Sequence, residues 1–432
     1  MITAPKKVIN GWAMYDWANS VYNLVITTTF FPVYFTQLTK EAPFNGTVSF
    51  FGRTFVNTAL YNYALAASYL IVAITLPILS SIADYKGNKK KFMQVFCFTG
   101  ALACSSMYFF DADNFNFGII CMMIAAYGFY GSLVFYNSYL PEIAAIEDRD
   151  RISARGFSFG YIGSVIMQMI GFALVIFYDK IPFLKSEGDA VRTTFLLVGI
   201  WWFGFAQITF RRLPKSPGID PGKAKKNVFS AGFKELKKTA LQVARLPVIK
   251  WFLLAFFFYN MGVQTVMLAA TNFGSKVLNL PSTNLIITVV LIQLVAILGA
   301  WSISRLSMKF GNFPVLISVV FLWIIICIAG YKMQTQYHFY ALAMGVGLVM
   351  GGIQSLSRST FSKLMPVTKD TASYFSFYDI TEKVAIVIGL SSFGYIEELT
   401  GSMRNSVLAL VVFFALGLIF LFFAKRKSYK SL

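Results

Sequence analysis

Twelve apolar stretches recur along the chain and are separated by charges, prolines or polar clusters. A helix of about 20 apolar residues spans the roughly 30 Å hydrocarbon core of a bilayer. The chain is therefore predicted to be an all-α membrane protein, and its first stretch is expected to be retained rather than cleaved as a signal peptide. The twelve transmembrane helices are predicted near residues 17–38, 57–82, 92–110, 117–139, 156–178, 193–210, 249–272, 284–304, 312–331, 338–357, 374–396 and 405–424.

The composition agrees with a membrane protein and excludes several other classes. Of the 432 residues, 57% are hydrophobic and 13% are charged, whereas soluble domains have roughly a quarter of charged residues. Disordered, secreted disulfide-rich and nucleic-acid-binding proteins fit this composition poorly. The four cysteines lie in apolar stretches without C-x-x-C spacing, so we expect no metal site, disulfide framework or cofactor. A single histidine and the absence of an H-E-x-x-H motif or a nucleotide-binding loop predict a protein that is not an enzyme.

The distribution of positive residues predicts the orientation in the membrane. The chain holds 38 Lys+Arg and 19 Asp+Glu, a net charge of +19. If the N-terminus lies inside, 29 positive residues fall in inner connections, 8 in outer connections and one, Lys383, within a span. Because positive residues are retained on the cytoplasmic side, both termini are predicted to be cytoplasmic. The charge excess then faces anionic lipid and requires no nucleic-acid partner.

The longest connection divides the chain into two sets of six predicted spans. It contains a segment around Phe233 whose apolar and basic residues alternate at helical spacing, which predicts an amphipathic helix on the inner leaflet or, alternatively, a solvated linker. The segment 154–161 resembles 372–379, which suggests two parallel, pseudo-symmetric six-helix bundles, as in the major facilitator superfamily. The predicted units are a first bundle at 1–210, a linker at 211–248 and a second bundle at 249–432.

The connection after the second span resembles the inner-loop signature of that superfamily. Gly87 permits a sharp turn, while Asp84 can accept hydrogen bonds from a helix N-terminus and pair with a cation. The resemblance implies that Asp84 helps to hold an inner gate shut, with an arginine below the fourth or fifth span as its partner. An ordinary basic turn is the alternative. The candidate gating residues are Asp84, Gly87, Lys90, Arg149, Arg151 and Arg155.

Polar residues inside predicted spans are expected to line the interior, because exposing them to lipid is costly. Asp16, Asn19 and Asn23 share one helical face, and Asn260 and Gln264 form an i, i+4 pair in the seventh span. No arginine is expected deep in the cavity, which favours a zwitterionic or weakly polar solute over a phosphorylated one. The candidate substrate-binding residues are Asn19, Asn23, Asn260, Gln264 and Gln354, although Gln354 is equally well explained by an interhelical hydrogen bond.

Three charged residues interrupt the eleventh span. Asp379, Glu382 and Lys383 lie at i, i+3 and i+4, and the apolar part that follows is too short to cross a bilayer alone. These charges must therefore enter the membrane. They predict either a proton-accepting carboxylate with Lys383 as its counter-ion, or a structural ion pair that braces the gate. The candidate ion-coupling residues are Asp379, Glu382, Lys383 and Asp16, which is expected at the inner boundary of the first span.

Motifs in both halves resemble one family, the bacterial "unidentified major facilitator" group. That group is similar to the fungal autophagy-related vacuolar amino-acid effluxers. The resemblance covers essentially the whole chain, and the strings that carry it are Trp12–Ser20, Ile82–Lys91, Tyr136–Glu142, Gly351–Ser359 and Phe375–Lys383.

The resemblance implies a secondary transporter that moves neutral amino acids outward by rocking of two halves. A translocator of lipids or hydrophobic drugs with the same fold is the main alternative, and a receptor or scaffold without transport activity is a second. We expect a monomeric multi-pass protein of the bacterial inner membrane. Its partners would be a small-molecule substrate, the lipid bilayer and a coupling proton.

Overall fold

The protein is built almost entirely from long α-helices. A computed structural model describes residues 2–40, 44–216, 218 and 228–428. The elements before the linker are α1 (Lys6–Val21), a π-helical segment (Tyr22–Phe30), α2 (Phe31–Leu38), strands β1 (Thr47–Phe50) and β2 (Arg53–Val56), α3 (Asn57–Lys86), α4 (Lys89–Ser106), α5 (Phe115–Ser138), α6 (Leu140–Ile143), α7 (Arg149–Ile176) and α8 (Glu187–Arg212). Short 3-10 turns lie at Met107–Phe109, Ile146–Asp148 and Tyr178–Lys180.

The linker and the part of the chain that follows it are also helical. In these described residues the elements are α9 (Val228–Arg245), α10 (Pro247–Leu278), α11 (Ser282–Phe310), α12 (Asn312–Lys332), α13 (Gln336–Leu364), α14 (Thr371–Thr400) and α15 (Met403–Ser428). We call the chain up to α8 the first half and the chain from α10 onward the second half.

Ten helices in the described part of the chain are long and apolar enough to cross a membrane. They are α3, α4, α5, α7, α8, α10, α11, α12, α13 and α15. The two other predicted spans are helical but fall outside this set, because a π-helical segment divides the first and charged residues interrupt α14. The multi-pass membrane character predicted from the sequence is therefore supported.

Two local features depart from the regular α-helices predicted. The connection between α2 and α3 forms a two-stranded antiparallel hairpin, in which Thr47 pairs with Val56. The first span widens into a π-helix at Tyr22–Phe30, where the hydroxyl of Thr28 donates to the carbonyl of Asn23, five residues earlier. Segments of π-helix occur often at functional sites, and this one carries a residue predicted to bind substrate.

Short turns make successive helices run in opposite directions. Gly87 ends α3 with φ of 68°, a left-handed conformation that favours glycine, and α4 begins two residues later. One end of the bundle thus carries the beginning of α1, the α3–α4 turn, the beginning of α14 and the end of α15. We call this end the terminus-side face.

Glycines allow α11 and α13 to pack backbone against backbone. A Cβ atom placed on Gly351 would overlap the backbone carbonyl group of Ala296, and one on Gly299 would overlap that of Leu348. Small residues of this kind let membrane helices approach closely without a hydrophobic driving force between them.

Gly351→Ala is expected to destabilise the protein by about 1–3 kcal/mol, because the added methyl group forces α11 and α13 apart. The matched control is Gly394→Ala, since a Cβ at Gly394 meets nothing within 4 Å. Melting temperatures of the two purified variants in the same detergent test this prediction. Equal melting temperatures would show that the close approach of the two helices is not required.

The linker helix α9 bridges the two halves at the terminus-side face. Thr239 and Val243 are buried on the side that packs against α3, whereas Lys234 and Lys237 are exposed. The hydroxyl group of Tyr374, in the first turn of α14, donates to Oε1 of Gln242 at 3.2 Å. The predicted amphipathic helix is therefore present, while its contact with lipid stays a prediction. Residues 219–227 of the predicted linker lie outside the described residues.

Asp370, just before α14, gives this junction a titratable group. Its carboxylate lies 3.7 Å from Nζ of Lys238. Burial and the nearby carboxylate of Glu235 raise the pKa of Asp370 from 3.8 to about 6. The folded protein therefore binds this proton more tightly than the unfolded chain does.

Asp370→Asn is expected to remove a fall in stability with rising pH. In the wild type, the free energy of unfolding decreases as pH rises from about 4 to 6, where only the folded state keeps the Asp370 proton. The variant should thus be more stable by about 1–3 kcal/mol above pH 6 and equally stable near pH 4. Melting temperatures measured from pH 4 to 8 test this, with the exposed Asp179→Asn as control. A wild-type pH profile in the Asp370 variant would contradict the prediction.

Candidate functional site

A cavity of about 220 Å³ lies between the two halves. Side chains from α1, the π-helical segment, α5 and α7 face it from the first half, and side chains from α10, α11, α13 and α14 face it from the second. All five residues predicted to bind substrate line this cavity, namely Asn19, Asn23, Asn260, Gln264 and Gln354. The tertiary structure brings them together, and their role in binding stays a prediction.

Neighbouring side chains orient these amides. The hydroxyl of Tyr130 donates to Oδ1 of Asn23 at 3.3 Å. The hydroxyl of Tyr161 donates to Oε1 of Gln354 at 2.7 Å, and this bond crosses from the first half to the second. Gln354 thus makes the interhelical hydrogen bond that was its alternative explanation, while it also lines the cavity.

A buried arginine lies at the floor of the cavity. Arg358, in α13, is 3% exposed, and its guanidinium nitrogens donate to Oδ2 of Asp16 at 3.2 and 3.3 Å. It also donates to the hydroxyl of Ser153 at 2.9 Å and to Oδ1 of Asn137 at 3.2 Å. The hydroxyl of Tyr136 donates to the same Asp16 oxygen at 2.7 Å. These contacts join the second half to three helices of the first.

This arginine corrects the expectation that no arginine lies deep in the cavity. The predicted tenth span ended at residue 357, which put Arg358 in an inner connection, whereas α13 continues to Leu364. One signal in the sequence could have identified it. A carboxylate such as Asp16 inside a membrane span requires a cationic partner, and Arg358 is the guanidinium that meets it.

The charged residues of α14 form a second group beside the cavity. Nζ of Lys383 donates to Oε2 of Glu382 at 3.1 Å and lies 4.3 Å from the ring centre of Tyr130, in the first half. Glu382 also accepts a hydrogen bond from Nε2 of Gln264 at 3.2 Å. Asp379 is buried, and its Oδ2 has no hydrogen-bond partner among the described residues. Lys383 is therefore paired with a carboxylate, which both predictions for this span include, so the choice between them stays a prediction.

At the terminus-side face, Asp84 caps the beginning of α14. Its carboxylate accepts backbone N–H bonds from Ala372 at 3.2 Å and from Ser373 at 2.7 Å. It also lies 3.3 Å from Nζ of Lys89, which contacts Glu142 and Thr371 as well. A carboxylate at a helix N-terminus is stabilised by the unpaired N–H groups there. The contact holds the α3–α4 turn of the first half against the second half.

The expected arginine partner of Asp84 is wrong, because Lys89 takes that place. Arg149 instead donates to the carbonyl of Ser362 at 2.6 Å and so joins the two halves elsewhere. Arg151 pairs with Asp148 at 2.6 Å, and the exposed Arg155 lies 5.7 Å from the ring centre of Phe159. Lys90 donates to the carbonyl of Leu213 at 2.7 Å. Of these four cations, only Arg149 makes a described polar contact to the second half.

Sequence reasoning missed a second cluster between the halves. Asp150, at the beginning of α7, accepts hydrogen bonds from Lys363 at 2.6 Å, Ser307 at 2.9 Å and Asn312 at 2.8 Å. Asn312 is the first residue of α12 and follows Gly311, just as Asn88 follows Gly87 in the α3–α4 turn. Among the described residues, the hydrogen bonds that join the two halves lie between the terminus-side face and the cavity. On that side of the cavity, polar contacts therefore hold the two halves together.

The described residues contain no group of three or more His, Cys, Asp or Glu side chains that could hold a metal ion. The four cysteines are buried and unpaired. Residues Gly156–Gly160 match G-x-S-x-G, but they lie inside α7 rather than at the strand-to-helix turn that exposes a nucleophilic serine. These features leave the cavity as the main candidate for function.

Solved structures with a similar fold define the class of protein. The human organic anion transporter MFSD10 has a TM-score of 0.76 at 12% sequence identity, with 96% of this chain and 99% of that chain covered. The fucose:proton symporter FucP of E. coli has a TM-score of 0.69 at 16% identity, with 97% of each chain covered. The fold is therefore that of the major facilitator superfamily.

Sequence comparisons define the family more closely. The family model described as "Vacuole effluxer Atg22 like" matches residues 4–431. An uncharacterized MFS-type transporter of Bacillus subtilis, YxiO, is 32% identical over 97% of this chain and 95% of its own length. Autophagy-related protein 22-1 of Penicillium rubens is 24% identical, with 96% of this chain and 90% of that protein covered. The chain belongs to the Atg22-like family of major facilitator transporters, as the resemblance in the sequence implied.

Proposed function

We propose that this protein exports neutral amino acids by alternating access, coupled to proton movement. The observation that carries the proposal is the cavity between the halves, which combines amides with ionic groups of both signs. A neutral amino acid carries one carboxylate and one ammonium group and needs partners for both. Glu382 can attract an ammonium group, while amide and cationic donors such as Asn260 and Lys383 can attract a carboxylate.

The direction of transport rests on the family. Its description names an effluxer, and the matched fungal relatives carry autophagy-related names. With the termini in the cytoplasm, the terminus-side face is the inner face, and this structure is closed on the inside. In such a state a solute released from the cavity leaves outward.

The membrane arrangement completes the proposal. In this proposal the helical first span and α14 cross the membrane together with the ten apolar helices, so twelve spans place both termini on one side. The excess of positive residues in the inner connections supports the cytoplasm as that side. The six-helix units are 1–210 and 249–432, with the 211–248 linker between them on the inner side. The matched Bacillus relative supports a location in the bacterial inner membrane, and the cavity within one chain supports a monomer as the working unit.

Proton coupling rests on a count of the charges that lie in and beside the cavity. Asp16 is paired with Arg358, which leaves the two carboxylates of Asp379 and Glu382 to share Lys383. This part of the bundle therefore carries one excess negative charge among its described residues. A buried unpaired charge is costly, so a proton or the ammonium group of a substrate would neutralise it.

Asp379→Asn and Glu382→Gln test the coupling step. Each should reduce pH-driven transport by at least about tenfold, because one proton-binding carboxylate is lost. Exchange of substrate without a pH gradient should be reduced less. The assay imposes a pH jump on proteoliposomes, and Glu397→Gln, on the side away from the cavity, is the control. Unchanged proton coupling in both variants would end the proton-carrier proposal.

Counterflow tests the substrate proposal. Proteoliposomes are preloaded with neutral amino acids, and uptake of each labelled species is followed with and without a pH gradient. Saturable exchange of a branched or aromatic amino acid is the expected result. If folded protein exchanges no amino acid, the substrate proposal fails, and lipids and hydrophobic drugs become the next substrates to assay.

A further inference from the structure

Two asparagines occupy equivalent positions in the two halves. Asn19 follows the first residue of α1, Lys6, by 13 residues, and Asn260 follows the first residue of α10, Pro247, by 13 residues. At 1.5 Å per residue both lie about 20 Å along their helices. Both side chains are buried, and both line the cavity. The halves therefore present the same side chain at the same depth.

Each asparagine carries a hydrogen-bond donor without a partner. Nδ2 of Asn19 and Nδ2 of Asn260 have no acceptor among the described residues. The orientation of the Asn260 amide is set by its surroundings. Nε2 of Gln264 donates to Glu382, which as a carboxylate only accepts, and the same nitrogen donates to Oδ1 of Asn260 at 3.4 Å. The nitrogen of Asn260 is therefore the atom left free.

The acceptor side of Asn19 is likewise occupied. Its Oδ1 accepts a hydrogen bond from the hydroxyl of Ser20 at 3.5 Å. Buried donors in folded proteins are almost always satisfied, and an unsatisfied pair in one cavity calls for an explanation. Two donors from opposite walls are best satisfied by a group with two acceptor oxygens, and a carboxylate is such a group.

The cations of the cavity are already engaged. Arg358 donates to Asp16, Ser153 and Asn137, and Lys383 is paired with Glu382. A substrate carboxylate bound by the amides would leave both ion pairs intact. We propose that Asn19 and Asn260 form a carboxylate clamp, in which each amide donates to one oxygen of the substrate and Glu382 receives the ammonium group. The assignment of the ammonium group rests on the proposed amino-acid substrate.

The clamp has a consequence for transport. A carboxylate held between α1 and α10 joins the halves across the cavity, whereas a ligand without a carboxylate contacts only the Glu382 side. Substrates are then selected by their carboxylate, and the two amides should contribute about equally because each donates one hydrogen bond to one carboxylate oxygen.

Three ligands distinguish the contribution of the substrate carboxylate from that of its ammonium group. They are leucine, isoamylamine (leucine without its carboxylate) and 4-methylpentanoate (leucine without its ammonium group). Binding is measured with the full chain in nanodiscs, by direct binding of labelled leucine and labelled 4-methylpentanoate and by competition with isoamylamine. The variants are Asn19→Ala, Asn260→Ala and Glu382→Gln. The control is Gln207→Ala, because Gln207 does not line the cavity and its Nε2 donates to the carbonyl of Phe203 in its own helix.

Asn19→Ala and Asn260→Ala should each weaken the binding of leucine and of 4-methylpentanoate by about 10- to 100-fold. The affinity for isoamylamine should stay within about twofold of the wild-type value. Glu382→Gln should weaken the binding of leucine and of isoamylamine but not the binding of 4-methylpentanoate. Equal effects of the Asn19 and Asn260 variants on all three ligands, or no effect, would overturn the clamp.

The two levels of the proposal fail in different ways. If the wild type binds no neutral amino acid but binds 4-methylpentanoate in a manner that depends on Asn19 and Asn260, the substrate proposal fails and the clamp stands. If the wild type binds leucine and the asparagine variants bind it equally well, the clamp fails and the substrate proposal stands. Binding of neither carboxylate ligand overturns both.

Discussion

Arg358→Met is expected to reduce transport by at least about a hundredfold and to lower the melting temperature. The guanidinium of Arg358 is the cation that meets Asp16, and both groups are buried. Removing one partner of a buried ion pair leaves the other charge without compensation, which costs about 3–5 kcal/mol. The same change removes the hydrogen bonds to Ser153 and Asn137 that join the halves below the cavity.

Transport in proteoliposomes and melting temperature in detergent measure the two effects. The double variant Asp16→Asn/Arg358→Met leaves no unpaired charge, so its melting temperature should recover while transport stays low. Arg155→Met is the control, because Arg155 is exposed and makes only a distant contact with the Phe159 ring. Transport near the wild-type level in the Arg358 variant would show that the pair is dispensable.

Lys89→Met is expected to open the terminus-side face. Lys89 is fully buried. It contacts Asp84 and Glu142 in the first half and Thr371 in the second half. Methionine keeps the volume but removes the charge, so two carboxylates lose their cation. In the closed state the variant leaves the fully buried Asp84 without its cation, which costs about 3–5 kcal/mol, and it removes the contact of Lys89 with Thr371 across the halves. When the halves separate, water can reach Asp84, so the cost falls mainly on the closed state. The ratio of closed to open protein at equilibrium should then fall by at least about tenfold.

A cysteine at position 81 reports this opening. Ser81 is buried, and its hydroxyl lies 3.1 Å from that of Ser373 across the two halves. In a chain whose four native cysteines are replaced by alanine, Ser81→Cys should react with a small maleimide at least about tenfold faster when Lys89→Met is added. The control is Lys90→Met, since the hydrogen bond that Lys90 makes among the described residues goes to the carbonyl of Leu213, just after α8, and not to the second half. If folded Lys89→Met protein is labelled at the control rate, Lys89 does not hold the closed state.

Together the polar clusters form layers between the halves. Asp84 with Lys89 and Asp150 with Lys363 lie nearest the terminus-side face, and Arg358 with Asp16 lies at the cavity floor. Each layer takes residues from both halves or caps a helix of the other half. Opening this face therefore requires the Asp150–Lys363 and Asp16–Arg358 pairs to separate and Asp84 to leave the beginning of α14, which makes the closed and open states discrete.

Much of the architecture follows from periodicity and charge alone. Apolar stretches of membrane-spanning length predict the helices, because backbone N–H and C=O groups in lipid must be satisfied within the segment. The sharp turn predicted at Gly87 is present, since Gly87 is the left-handed residue that ends α3. The residues that line the cavity could also be predicted from the sequence, because polar residues inside a span avoid lipid.

The partners in the ion pairs could not be predicted from the sequence in the same way. Asp84 was expected to meet an arginine of the fourth or fifth span, and it meets Lys89 in the adjoining turn. Arg358 was assigned to a connection, because a span predicted from hydropathy ends at the first charged residue. The hydropathy of one segment contains no information about the counter-ion that another helix supplies. Partner choice depends on distances between helices, and those distances are set by packing of the whole bundle.

The sequence by itself determined that this chain is a multi-pass helical membrane protein of the Atg22-like family, and which polar residues face its interior. These properties depend on the local cost of placing each side chain in hydrocarbon, which is readable one residue at a time. Only the tertiary structure decided that Asp16 meets Arg358, that Lys89 meets Asp84 and Glu142, and that Asn19 and Asn260 line one cavity with donors that have no partner among the described residues. These pairings join residues as far as 342 positions apart, so they follow from how the helices pack and not from any local pattern.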